Sequence, residues 1–349
     1  MSGRNAAPEI TVRAPRETTA LFGHREAEQT LLTAYRSGRI PHAWLIGGAQ
    51  GMGKATLAYR IARFVLGHPD PSARSVQDAT SLYVDEDHPV ARQVAGGSHG
   101  GLLTLERTVN EKGAMRAVIT VDESRETIGF FGSTAASVGG WRVCVVDTVD
   151  ELNANASNAL LKILEEPPDR SLFLLVSHAP ARVLATIQSR CRKLPLRPLE
   201  STDVVRAVAE AAGRDRSDPA LREAASAAEG SVSRALTLLG QPLGLHQRTL
   251  DLLNRLPQLD PRALHALGDA LPLNDRVGLQ AFVDTLDRWL TDHLHAPDAG
   301  ANLPRLARLA EVWEKINRAA RETEGFNLER KPLVFSVFGM LAEATSQAR

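Results

Sequence analysis

Gly48-Ala49-Gln50-Gly51-Met52-Gly53-Lys54-Ala55 has the glycine and lysine spacing of a loop built to hold phosphate. The glycines let backbone N–H groups close around an anion, the following helix adds partial positive charge at its N-terminus, and Lys54 reaches the outer phosphates. An apolar run at 43–46 and a helical pattern at 56–66 supply the strand–loop–helix setting such a loop requires. The position that should give a hydroxyl to Mg²⁺ is Ala55, however, and Thr56 lies about 100° further round the helix. The loop therefore reads in two ways, as a nucleotide cradle lacking a metal ligand or as a packed turn that binds nothing.

A second run, Val143-Cys144-Val145-Val146, ends in Asp147, a carboxylate placed to hold the metal of a phosphate site. The next position, where hydrolysis needs a water-orienting Glu, is Thr148. Asp150 and Glu151 lie past the strand end and read as solvated or capping residues rather than as displaced bases. Downstream, the pattern predicts a helix with Ala156, Ala159, Leu160, Ile163 and Leu164 on one face, stopped by Pro167-Pro168.

These residues need a parallel sheet to hold them. From 21 to 198, helical periodicity alternates with short apolar runs at 43–46, 142–146 and 172–176, the signature of buried parallel strands covered by helices on both faces. The Gly-, Pro-, Asp- and Ser-rich stretch 67–116 reads largely as an insertion or long loop. Short amphipathic helices are expected at 201–212, 218–228 and 231–239, with Asp218-Pro219 as N-cap and first turn. Beyond Pro242 the pattern is entirely helical. Residues 1–19 are expected as a flexible tail, 20–197 as the α/β domain, 198–241 as a three-helix lid and 242–349 as a helical domain. Trp289, Trp313, Phe335 and Phe338 are candidate core or interface anchors of that last domain, the core being the favoured role for each.

Composition narrows the class. The 349 residues are 43% apolar and 23% charged, ordinary for a globular protein. Lys plus Arg and Asp plus Glu both number 41, so whole-chain charge gives no drive toward autonomous DNA binding. No run is long enough to span a bilayer, and the polar N-terminus lacks a signal-peptide core, which suggests a cytoplasmic protein with no membrane contact. Cys144 and Cys191 stand alone, without metal-ligand spacing, and fit a reducing compartment. His88 and His99 read as solvated loop histidines, so no metal site is expected.

The segment Asn158-Ala159-Leu160-Leu161-Lys162-Ile163-Leu164-Glu165-Glu166-Pro167-Pro168, with Ser189-Arg190-Cys191, resembles the bacterial clamp-loader family of the AAA+ superfamily. Leu21-Phe22-Gly23-His24, Pro41-His42-Ala43, Gly139-Gly140-Trp141 and Arg330-Lys331-Pro332-Leu333 extend the resemblance over most of the chain. It implies an AAA+ domain, a lid and a C-terminal oligomerisation collar. It implies that Arg190 is an arginine finger acting on a neighbouring subunit's ATP, the plainer alternative being an intrachain ion pair. Ser177 becomes the polar sensor at the end of its strand, and Gly48, Gly51, Gly53, Lys54, Asp147 and Ser177 a degenerate nucleotide site. Ser233 stands where a nucleotide-sensing Arg is usual, with Arg234 one position late. The four clustered cysteines that many relatives carry between the two strands are missing.

The resemblance implies a stator, or non-motor subunit, that helps load a sliding clamp on primer-template DNA alongside motor and delta subunits. No cofactor is required, and residual ATP or ADP binding stays open. The contrasting readings are an active ATP-hydrolysing motor subunit, opposed by Ala55, Thr148 and Ser233 together, and a stand-alone DNA adaptor, which the neutral charge does not support.

Overall fold

A computed structural model describes residues 13–107, 129–131, 140–239, 241–273, 275–294 and 303–346. Gly139 and the end of the 67–116 stretch lie outside the described residues. The chain divides into two compact units, with the boundary between Arg234 and Ala235.

In the first unit the order is α1 (Arg25–Arg36), β1 (Ala43–Gly47), α2 (Lys54–Gly67), α3 (Arg74–Gln77), α4 (Pro89–Ala95), β2 (Leu102–Glu106) and β3 (Arg142–Asp147). It continues with α5 (Ala154–Glu165), β4 (Ser171–Ser177), α6 (Ala185–Gln188), β5 (Arg192–Pro195), α7 (Ser201–Ala212) and α8 (Pro219–Ala227). α9 (Val232–Leu238) crosses the boundary. The five strands form one parallel sheet in the order β2-β3-β4-β1-β5.

Alternation along the strands divides the core between two faces. Trp44, Ile46, Val143, Val145, Leu172 and Leu174 pack with Leu31 of α1 and Leu57, Ile61 and Phe64 of α2. Leu45, Cys144, Val146, Phe173 and Leu175 pack with Leu160, Ile163 and Leu164 of α5. Both faces are covered, which is why β1 and β4 are buried at every position.

The 67–116 stretch is, over its described residues, mostly loop and turn as expected, interrupted by α3, α4 and the edge strand β2. Two expectations need correction. Residues 13–19, expected as flexible tail, are tied to α2: the guanidinium of Arg63 donates to the carbonyls of Arg16 and Thr18, and that of Arg60 to the carbonyl of Thr19. His88 and His99 are not simply solvated. The His88 ring caps α4 by accepting from the N–H of Val90 at 3.3 Å, and the His99 ring accepts from the N–H of Gly101 at 3.0 Å.

The second unit consists of α10 (Gln241–Leu253), α11 (Pro261–Asp269), α12 (Arg276–Leu294), α13 (Leu303–Gly325) and α14 (Arg330–Ser346). Phe282, Leu286, Trp289, Ile316, Val334, Val337, Phe338 and Leu341 are buried together, with Phe335 packed at their margin. Trp313 departs from the core role expected of it. It is 42% exposed, and its indole donates to Asp287 at 2.8 Å. Among the described residues no helix is long and apolar enough to cross a membrane.

Candidate nucleotide-type site and the Arg190 edge

Strand register brings the sequence-selected residues to one edge of the sheet. Gly47 pairs with Ser177, and Asp147 with Val176, so the phosphate loop, the Ser177 hydroxyl and the Asp147 carboxylate all lie at the C-terminal ends of neighbouring strands. Ligand sites of open α/β sheets form at such an edge.

The loop's polar groups are directed to the chain itself. The N–H of Gly48 donates to the carbonyl of Ser177 at 3.3 Å, and Lys54 Nζ donates to the carbonyl of Ala49 at 2.5 Å. Lys54 is 3% exposed, and burial lowers its pKa to about 8 against the opposing pull of Asp147 and Asp150. The carbonyl of Gly51 accepts from the N–H of Val232 at 2.8 Å. Gly51 has φ +79°, and a Cβ there would come within 2.0 Å of Ser233 Oγ and 2.2 Å of Ser231 Oγ. Glycine takes this backbone sign without strain and leaves room for the close approach of the Ser231–Ser233 segment. Gly53, at φ +90°, leads into α2 with no neighbour that a Cβ would strike.

Asp147 sits between charges of both signs. Burial raises its carboxyl to about 6, the neighbouring Glu106 adding to the rise and Lys54 opposing it. Thr148 is 4% exposed, with its hydroxyl buried and unpartnered among the described residues. Ser177 is fully buried, and its hydroxyl donates to Asp150 Oδ1 at 2.8 Å while the His178 N–H donates to Oδ2 at 2.5 Å. Asp150 therefore caps the end of β4, and Glu151 pairs with Arg107 at 2.9 Å. Neither is placed as a substitute base.

The fit to a magnesium nucleotide follows from this donor set. Ala55 offers no oxygen to a metal, Thr148 offers no carboxylate to water, and Lys54 is held by the loop's own carbonyl. These residues do not fit a hydrolytic Mg²⁺–nucleotide centre.

Sequence reasoning gave no physical role to the segment before α1. His24, in the left-handed region at φ +53°, donates from its ring Nε2 to the carbonyl of Met52 at 2.7 Å. Gly23 lies so close to Leu199 and Asp203 that a Cβ would meet Leu199 at 2.5 Å, and Phe22 lies under the guanidinium of Arg206, 5.5 Å from its centroid. The phosphate loop is thus braced by His24 and by the 231–233 segment, while Phe22 and Gly23 pack against residues 199–206. A glycine followed by a residue able to adopt positive φ was the available signal at Gly23-His24.

Arg190 lies elsewhere, just past α6. Its guanidinium donates to Glu165 Oε1 at 2.6 Å and to the carbonyl of Thr186 at 2.9 Å, leaving the side chain one-third exposed. Within this chain the ion pair is present.

A parallel sheet in this strand order, a phosphate loop after β1, an acidic residue ending β3 and a polar residue ending β4 define the AAA+ class of P-loop proteins. Residues 23–200 match the model of the family described as DNA polymerase III, delta subunit, and the chain belongs to that family. It is similar to the DNA polymerase III subunit delta′ of Pseudomonas aeruginosa, 36% identical over 150 residues that cover 43% of this chain and 41% of the relative. The Escherichia coli subunit delta′ is 34% identical over 170 residues, 49% of this chain and 46% of the relative. The Haemophilus influenzae subunit tau/gamma is 27% identical over 237 residues, 67% of this chain and 32% of the relative. The chain thus spans less than half the length of each of these curated relatives.

Proposed function

We propose that this chain is a non-motor, stator-type subunit of a DNA polymerase III clamp loader, acting in the cytoplasm. In this reading it assembles with motor and delta subunits and helps place a sliding clamp on primer-template DNA. The delta′ and tau/gamma names of its relatives support the machine. The stator role is carried by one observation, the phosphate loop whose Gly48, Gly51 and Lys54 are all engaged by groups of the same chain. Ala55 and Thr148 point the same way.

Arg190 then contributes to catalysis outside its own subunit. An arginine finger stabilises charge on the transferring phosphoryl group and raises turnover by roughly 10³- to 10⁵-fold in well-studied systems. Its pairing with Glu165 is a modest obstacle. With the two side chains 33% and 51% exposed, such a pair is worth about 0–1 kcal/mol, so exchange toward a neighbour's γ-phosphate costs little. The helices beyond Pro242 are assigned the collar that holds the subunits together.

Reconstitution tests this reading. The isolated chain is expected to hydrolyse no ATP above background, and a chain ending at residue 241 to keep a folded α/β domain but fail to co-purify with partner subunits. ATP turnover by the isolated chain that Lys54→Ala abolishes would instead establish an active motor, and normal assembly of the truncated chain would remove the collar assignment.

A further inference from the structure

Away from the phosphate loop, on the side of α2 facing residues 13–19 and α4, a solvent-open cavity of about 290 Å³ is lined by Arg13, Arg16, Arg63 and Arg92 against Glu17 and Glu86. Its wall thus carries two more guanidiniums than carboxylates, in a chain whose total charges balance.

Arg63 is the telling member. It is 1% exposed, yet its guanidinium donates only to neutral oxygens, the carbonyls of Arg16 and Thr18, and among the described residues no carboxylate lies within ion-pair distance. The nearby Arg60 is compensated differently, by a buried 2.6 Å pair with Glu28. Burial and the neighbouring Arg60 both work against the charge of Arg63, and the nearby Glu86 opposes them only in part, without a direct ion pair. Arg92 on α4 is exposed and makes no ion pair among the described residues, and Arg16 keeps a buried Nε with no hydrogen-bond partner. The two carboxylates are already engaged. Glu86 pairs with Arg13 at 3.3 Å and accepts from the Thr19 hydroxyl at 2.7 Å, while Glu17 accepts from the N–H of Ala14 at 3.0 Å. Arg16 itself lies 3.6 Å from Glu106.

We propose that this cavity is a second anion site, distinct from the phosphate loop, which takes a phosphoryl group on the guanidiniums of Arg92 and Arg13 at its rim, with the buried charge of Arg63 beneath them as a fixed positive field. Planar guanidiniums suit phosphate because each can present two N–H donors to two oxygens. The volume exceeds one phosphate, so the group is part of a larger ligand, either a free polyphosphate or a nucleic-acid strand. The inference does not depend on the stator reading.

Titration calorimetry of the full chain with inorganic pyrophosphate at low salt, beside fluorescence anisotropy with a labelled 12-nucleotide DNA strand, tests the site. Saturable pyrophosphate binding weakened tenfold or more by Arg92→Glu, and unchanged by Lys54→Ala, is the expected result. The same mutational pattern with the DNA strand alone would keep the site and assign its phosphate to nucleic acid. Arg13→Ala, a milder change at the rim, is expected to weaken whichever probe binds by several-fold without altering the circular dichroism spectrum. The site is overturned if neither probe binds, if binding survives both arginine changes, or if Lys54→Ala abolishes it.

Discussion

Two regions of the same α/β unit hold residues that the sequence marks for phosphate chemistry, and they treat them in opposite ways. At the phosphate loop the donors turn inward. Lys54 meets the Ala49 carbonyl, Gly48 the Ser177 carbonyl, and Ser231 and Ser233 close over Gly51. At the Arg190 edge the guanidinium stays one-third exposed and is held by a partner that is itself half exposed. Burial decides the difference, because donors packed against their own backbone cannot be recruited without losing those bonds, whereas a partly solvated ion pair exchanges cheaply. The same α/β unit thus packs one set of charged and polar groups inward while leaving a guanidinium partly open to solvent.

Four tests would break or sharpen that contrast. Arg190→Ala in a reconstituted complex should give the largest effect. The one ATP site that depends on it should lose turnover by about 10³-fold or more, so total clamp- and DNA-stimulated ATPase falls only in part while the complex stays assembled. Arg190→Lys should rescue poorly, since an ammonium cannot reproduce the guanidinium fork. Unchanged ATPase in an intact Arg190→Ala complex would leave the Glu165 pair as a purely structural contact.

Thr148→Glu, which formally restores a base, should fail to create hydrolysis and should cost on the order of 3–5 kcal/mol, because it places an uncompensated carboxylate at a 4% exposed position. Denaturant unfolding and an ATPase assay on the same variant read both effects. A stable, hydrolysing Thr148→Glu chain would contradict the inward-turned description.

Gly51→Ala and Gly53→Ala separate backbone sign from packing. Both have positive φ, but only Gly51 has the serine hydroxyls against it. Gly53→Ala should cost about 1 kcal/mol and Gly51→Ala about 2–3 kcal/mol, with a lower unfolding midpoint in thermal scans. Equal losses would mean that the 231–233 segment does not brace the loop.

The smallest effect concerns Asp147, whose carboxyl is raised to about 6. A carboxyl raised above its unfolded value near 3.9 binds more protons in the folded state between these limits. Its penalty is therefore absent below about pH 4, grows as pH rises through 6, and is complete above it. Asp147→Asn should raise stability by about 1–2 kcal/mol at pH 8 and by almost nothing at pH 4, measured as urea midpoints at both pH values. A pH-independent difference would remove the burial argument.

Much of the architecture was legible because it is written locally. The central strands declare themselves as apolar runs buried on both faces, and α7 runs over the very residues, Ser201–Ala212, that its periodicity marks. Asp218 caps α8 as its position before Pro219 suggests, accepting from the N–H of Ala220 at 2.9 Å. The edge strands were harder to see. β2 follows a glycine-rich stretch and is only partly buried, and β5, Arg192-Lys193-Leu194-Pro195, exposes three of its four residues, so neither carries a continuous apolar signal.

For the site, the sequence by itself determined which groups stand at the strand ends and which are missing: Lys54 without a hydroxyl at Ala55, Asp147 without a following Glu, Ser177, and Arg190 apart from them all. Only the tertiary structure decided what those groups do to each other. That Lys54 folds back on Ala49, that Ser231 and Ser233 seat on Gly51, that Asp150 caps Ser177, and that Glu165 holds Arg190 depends on side-chain direction and on contacts between residues up to 182 positions apart. Periodicity fixes local conformation and the buried face of each element, but a hydrogen bond requires alignment within tenths of an ångström, which only the packed fold supplies.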